Sequence, residues 1–283
     1  MNKVVIITDS TNDLDAKTIA DNEIEVLPLY VNFGEDSYQD GKTITTEELY
    51  GLVDAKGELP KTAAVSIATF IDIFQKWVDL GYDVVYTGIG RKLSRTFENA
   101  VMAAEEVGED RVFVVDSMNL STGIGLLVLK ACEYRKQGLD AKTIASKLEK
   151  DRTLVRSQFA IETMDYLHKG GRCSGMVKLV GTFLKIKPII AVIDGKLEVV
   201  NKPRGKMKVA LDAQIAQLVE DLPRLDKSRV IITHSLAFEY RDYIAEKLKE
   251  IIPDVPVLST VAGCVISSHC GKGTIGILYM LNE

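Results

Sequence analysis

The chain has 283 residues, 46% of them hydrophobic, and 35 Lys plus Arg against 40 Asp plus Glu give a net charge of −5. That balance excludes the basic footprint of a nucleic-acid binder or of a protein held on anionic lipid, and the apolar content excludes a disordered chain. No apolar run reaches the roughly 20 residues that span a bilayer, so stable membrane insertion is not expected. The N-terminal Met1-Asn-Lys-Val-Val-Ile-Ile lacks a secretory-signal pattern. Cys132, Cys173, Cys264 and Cys270 contain no C-x-x-C pair, and their spacing fits neither a zinc site nor a disulfide scaffold. A cytoplasmic protein with reduced thiols is expected.

In chain order, Lys3 to Thr8 predicts a buried strand ending at Thr8-Asp9-Ser10-Thr11, and Asp9, Ser10 and Asp13 lead into a helix near Leu14. Glu25 to Phe33 predicts a strand, followed by an acidic loop from Gly34 to Gly41. Thr45 and Glu48 have capping-box spacing ahead of a helix through about Val53. Lys61 to Ser66 reads as a linking segment before a helix from about Thr69 to Leu80. Val84 to Thr87 predicts a strand that stops at glycines, after which Ser94 is an N-cap candidate for a helix containing Phe97, Ala100, Val101 and Ala104. Such a strand, glycine turn and Ser/Thr-rich helix start suits an anionic group, although Ser94 alone reads as an ordinary cap. Arg111 to Val115 predicts a strand closed by Asp116-Ser117, which read as turn residues. A long apolar helix from about Leu120 to Gln137 and an amphipathic one capped by Asp140 follow. Alternating strands and helices argue for βαβ units and a mainly parallel sheet. Its strand ends would face a ligand crevice.

The pattern changes after about residue 150. Ser157 to Glu162 predicts a strand and Met164 to Lys169 a short helix ending at Gly170-Gly171, with another helix opening at Arg172-Cys-Ser174-Gly and running to about Leu184. Lys187 to Ile193 and Lys196 to Asn201 predict a hairpin turned by Asp194-Gly195. Pro203-Arg204-Gly-Lys-Met-Lys precedes a helix from about Val209 to Leu222. Strand Arg229 to Thr233, helix Phe238 to Ile251, strand Val255 to Leu258, a glycine-rich turn holding His269, and strand Ile275 to Leu281 complete the pattern. A hairpin among helices implies a mixed sheet. Two α/β domains are therefore expected, 1–150 and 151–283, the first with a mainly parallel sheet and the second with a mixed one, enclosing a ligand between or beside them.

These residues carry a resemblance. Thr8-Asp9-Ser10 with Asp13-Leu14, Lys61-Thr62, Ser94-x-Thr96-Phe97, Asp116-Ser117, Leu167-x-x-Gly170-Gly171-Arg172 and His269-x-Gly271-x-Gly273-Thr274-x-Gly276 together resemble the DegV family of bacterial fatty-acid-binding proteins. The resemblance covers the whole chain, with Ala63, Val65, Arg95 and Lys272 as departures from the usual pattern. It implies a non-enzymatic carrier with no cofactor, whose ligand is a long-chain fatty acid and whose partner is a fatty acid kinase that forms an acyl phosphate for phospholipid synthesis. It further implies that Thr62, Ser94, Arg95, Thr96 and His269 meet the fatty-acid carboxylate and that Arg172 and Arg204 face the kinase.

The chemistry of these residue types suits that ligand. A carboxylate taken out of water needs hydrogen bonds in place of its hydration, and hydroxyls, helix-start N–H groups and an imidazole supply them. Burying a long acyl chain at roughly 0.8 kcal/mol per methylene contributes on the order of 10 kcal/mol gross. His168 reads as a helix-dipole partner, and His234 stays open between a structural and a ligand role. Other enzyme classes fit less well. There is no G-x-G-x-x-G after the first strand, Gly271-Lys272-Gly273-Thr274 lacks the upstream glycine of a P-loop, and no G-x-S-x-G elbow surrounds Ser94. A metal-assisted phosphohydrolase with Asp9 as nucleophile is the alternative expectation.

Overall fold

Runs of β-branched residues build the first sheet of the computed structural model, which describes residues 2–172 and 186–283. Strand β1 (Lys3–Asp9) is followed by helix α1 (Ala16–Asp21), capped by the Asp15 side chain, and strand β2 (Ile24–Leu27). The expected strand from Glu25 to Phe33 is in fact two. Pro28 has no N–H for a ladder, and the chain turns there into β3 (Tyr30–Phe33), which belongs to a different sheet. Two residues, Gly34 at φ +57° and Glu35, then close a hairpin to β4 (Asp36–Gln39), where the sequence predicts a loop.

Helix α2 (Thr46–Lys56) starts with the expected capping box between Thr45 and Glu48. The supposed linker at Lys61 is a third strand, β5 (Lys61–Ala63), paired antiparallel with β3. Its three residues are too few to show alternation. Helix α3 (Ile67–Asp79), strand β6 (Tyr82–Gly88), helix α4 (Thr96–Val107) and strand β7 (Val112–Asp116) complete a four-stranded parallel sheet of order β2-β1-β6-β7.

Helix α5 (Thr122–Lys136) is buried on almost every side and packs against this parallel sheet and against a six-stranded sheet of the second half of the chain. Its cluster joins Ile6, Val85 and Val115 of the first sheet to Ile231, Leu278 and Met280 of the second. Two glycines allow this contact. A Cβ on Gly123 would lie 2.4 Å from the Ser157 hydroxyl, and one on Gly125 would lie 2.9 Å from the Asn12 carbonyl. Helix α6 (Ala141–Asp151) begins at the expected Asp140 cap.

The second sheet is mixed, and the two sheets belong to two α/β domains. Its strands β8 (Val155–Ala160), β9 (Ile189–Ile193), β10 (Lys196–Asn201), β11 (Leu225–His234), β12 (Val257–Val261) and β13 (Ile275–Leu281) lie in the order β10-β9-β8-β13-β11-β12. Asp194 and Gly195 both have positive φ, as the tight hairpin requires. Helices α7 (Asp165–Lys169), α8 (Met207–Asp221) and α9 (Phe238–Ile251) follow the expected pattern. The helix expected from Arg172 to Leu184 falls, beyond Arg172 itself, outside the described residues. The glycine-rich turn around His269 is corrected: residues Cys264–Cys270 form helix α10, and His269 sits in its last turn.

Asp9 anchors the connection between β1 and β6. Its buried carboxylate accepts from the Thr11 N–H and hydroxyl on one oxygen, and from the Tyr86 hydroxyl at 2.8 Å and the Ile89 N–H at 2.9 Å on the other. Asp9→Ala leaves those donors without partners, and we expect a loss of about 3 kcal/mol in unfolding free energy. A shifted denaturant midpoint at unchanged slope checks this.

Candidate functional site

The carboxyl ends of β6 and β11, the strand β5 and the helix α10 meet at a cavity of about 260 Å³. Most of its wall is apolar, from Leu29, Ile89, Leu93, Leu120, Phe159, Leu167, Leu197, Val265 and Leu278. Both halves of the chain contribute. Of the residues expected at a carboxylate, Thr62, Ser94, Arg95 and His269 line this cavity.

Thr62 and His269 touch although 207 positions apart, with Oγ1 and Nε2 separated by 2.9 Å. Burial, aided by the nearby Arg172 charge, pulls the imidazole down from its ordinary 6.5 to about 4, so the ring is neutral near pH 7. Nδ1 is enclosed and has no partner among the described residues. A buried orphan N–H is costlier than an orphan acceptor, which favours the tautomer with hydrogen on Nε2. That N–H then donates to Thr62 Oγ1 and leaves the Thr62 hydroxyl hydrogen for an acceptor in the cavity. Gly170 makes this packing possible. A Cβ there would lie 2.3 Å from His269 Nδ1.

Ser94 lies two residues before the first helical residue, Thr96, just ahead of the N-cap. Its Oγ accepts from Thr96 N at 3.2 Å and lies 2.9 Å from the Thr96 hydroxyl, while Arg95 occupies the N-cap position without capping through its side chain. Thr96 is fully buried and lies outside the cavity lining, where its N–H and hydroxyl meet Ser94 Oγ. Arg95 and Arg172 are both exposed at the rim. Arg172 donates to the carbonyls of Gly170 at 2.7 Å and Leu93 at 3.5 Å, bridging the end of α7 and the loop before Ser94. Arg204 is exposed and outside the lining, in a bridge with Ile186.

Sequence reasoning missed the contributions of Leu120-Ser121, Thr233 and Ser235 to the cavity and left that of His234 open. The signal for the second was a hydroxyl and imidazole cluster directly after an apolar strand, since such strand ends face the crevice in open α/β sheets. His234 is buried and accepts from the Ala237 N–H at 3.2 Å, so one nitrogen serves the start of α9. His168 is exposed in the last turn of α7. Asp9, the nucleophile of the alternative reading, is 0% exposed with both oxygens already accepting, and it is absent from the cavity lining. That geometry removes the phosphohydrolase reading. Asp116 likewise serves its turn, accepting from Arg91 N and Met118 N.

A family model described as "Uncharacterised protein, DegV family" matches residues 3–282. The chain belongs to the DegV family. A DegV domain-containing protein of Clostridium perfringens is 31% identical over 282 residues, covering 99% of each chain. Among solved structures, a fatty-acid-binding DegV family protein from Thermus thermophilus superposes with a TM-score of 0.89 at 29% identity, covering 99% of this chain and 100% of that one. A DegV lipid-binding protein from Thermotoga maritima gives 0.86 at 31% identity, covering 99% of each. The DegV architecture of two α/β domains, one sheet parallel and one mixed, is therefore shared.

His269 makes the stability of this DegV protein depend on pH. Its folded-state proton affinity lies below the ordinary value, so between pH 6.5 and about 4 the unfolded chain binds the proton more readily. The contribution is fully present above 6.5 and is lost as pH falls through that window. In urea titrations across this range, the stability difference between wild type and His269→Gln should shrink toward the acid end.

Proposed function

We propose that this chain binds a long-chain fatty acid in the cavity and presents its carboxylate to a separate fatty acid kinase, which forms the acyl phosphate used in phospholipid synthesis. The protein acts as a cytoplasmic carrier rather than an enzyme and needs no cofactor, and its domains divide at 150/151. The observation that carries the reading is a largely apolar cavity into which a Thr62–His269 pair projects from two distant parts of the chain. Fatty acid and lipid binding by the Thermus and Thermotoga relatives supports the ligand class.

The apolar wall supplies affinity through methylene burial, and Thr62, Ser94 and His269 supply orientation. Removing one of these donors leaves a buried oxygen short of a partner. Arg95 places a cation at the rim, where it reduces the cost of bringing an anion to the mouth. Arg172 and Arg204 offer guanidinium groups whose planar forks match phosphate and carboxylate oxygens, and both are proposed to engage the kinase.

Native mass spectrometry before and after solvent extraction should show a bound mass matching a fatty acid, lost on extraction. Ser94→Ala should weaken fatty acid binding by about 1–3 kcal/mol. Unchanged affinity in Thr62→Ala, Ser94→Ala and His269→Ala alike would overturn the site assignment. Arg172→Ala and Arg204→Ala should keep bound fatty acid yet lose acyl phosphate formation with kinase and ATP. Wild-type transfer by both variants across a kinase titration would overturn the docking assignment.

A further inference from the structure

The end of α10 opposite His269 is held by the first domain, through groups with no role in the proposed chemistry. Asp40 Oδ1 accepts from Cys264 N at 2.7 Å, and Asp13 Oδ1 accepts from Gly263 N at 2.8 Å. The second oxygen of each is committed elsewhere in the first 121 residues: Asp40 Oδ2 accepts from Ser10 Oγ at 2.9 Å, and Asp13 Oδ2 from Ser121 Oγ at 2.5 Å. Ser10 Oγ in turn accepts from Leu29 N at 3.1 Å. Both carboxylates are buried, at 2% and 6% exposure. Thr46 adds a third tie by donating to the Ala262 carbonyl at 2.7 Å. Gly263 fits the junction closely, since a Cβ there would lie 3.1 Å from Asp40 Oδ1 and 3.2 Å from Asp13 Oδ1 and would press on both carboxylates.

We infer that Asp40 and Asp13 are positioning residues for His269. They fasten the start of α10 to the first domain, and the helix, about 10 Å long at 1.5 Å per residue, carries the imidazole from that anchor to Thr62. The inference rests on the proposed function, in which His269 orients the fatty-acid carboxylate. Two carboxylates buried side by side are costly. That cost, beside a helix whose imidazole meets Thr62, is accounted for by the precision they give it. Asp9 lies close enough for its charge to act on Asp13, and Arg172 is the charged neighbour of His269.

The test is the His269 titration followed by NMR, together with binding of oleate. The His269 proton affinity is set by burial and by Arg172 rather than by Asp40, so removing the Asp40 charge alone leaves it in place. Loosening α10 raises it, because the ring regains water. Asp40→Ala should move the His269 titration from about 4 upward toward 6.5 and weaken oleate on the order of tenfold. Asp40→Asn, which keeps the acceptor, should stay near wild type in both. Gly263→Ala changes no charge and should shift both readouts in the same direction as Asp40→Ala, so it carries the test if Asp40→Ala does not fold. A folded Asp40→Ala or Gly263→Ala protein with an unmoved or lowered His269 titration and wild-type oleate affinity would overturn the inference. Failure of the wild type to bind oleate would instead overturn the proposed function.

Discussion

A helix that is apolar on all sides must be enclosed on all sides, and α5 meets that demand only by lying between the two sheets. Ten of its fifteen residues are buried, from Thr122 to Cys132. The parallel sheet covers one flank and the mixed sheet the other, so neither domain has its full core without the other. The cavity follows from this arrangement. Leu120 and Ser121, just before α5, stand where the carboxyl ends of β6 and β11 approach each other, and there they form part of its wall.

The polar groups on that wall are mostly committed to one another. Ser235 lies 2.6 Å from the Tyr50 hydroxyl and 2.8 Å from Ser267 Oγ, Thr274 donates to the Cys270 carbonyl, and Thr233 bonds Thr122 and Thr260. A hydroxyl whose hydrogen is already engaged behaves toward an acyl chain much as an apolar group does, because no bond is broken when the chain arrives. Thr62 differs. With the imidazole N–H serving its oxygen, its own hydrogen is still available. Burial thus does two things at once, making the wall acceptable to methylenes and keeping the imidazole neutral.

Much of this was legible in the sequence where local chemistry decides. The capping box at Thr45, the cap at Asp140, the Asp194-Gly195 hairpin and the alternation of strands and helices all stand as read, because each depends on neighbours within a few residues. The errors came where distant contacts overrule local propensity. Val265, Ile266, Ser267 and Ser268 are weak helix formers, and α10 exists because Asp13 and Asp40 satisfy its first N–H groups from far upstream. Strand β5 exists because β3 pairs with it. That Thr96 turns away from the cavity while Ser94 lines it was not legible, because the motif shows which residues matter but not which face they turn. Thr62 and His269 were brought together by resemblance, since no periodicity links positions 207 apart.

Strand β13 has a consequence for how the molecule is made. It occupies residues 275–281 yet lies inside the second sheet, antiparallel to β8 on one side and to β11 on the other. Until it is in place, β8 with its hairpin and β11 with β12 are two separate ribbons with open edges, and the floor formed by Gly276 and Leu278 is missing from the cavity. A chain emerging from the ribosome can assemble its parallel sheet early, but pairings of such sequence separation close late and slowly. The cavity cannot be filled until residues 275–281 have joined the sheet, and a chain cut short before residue 275 lacks both its floor and the centre of the sheet.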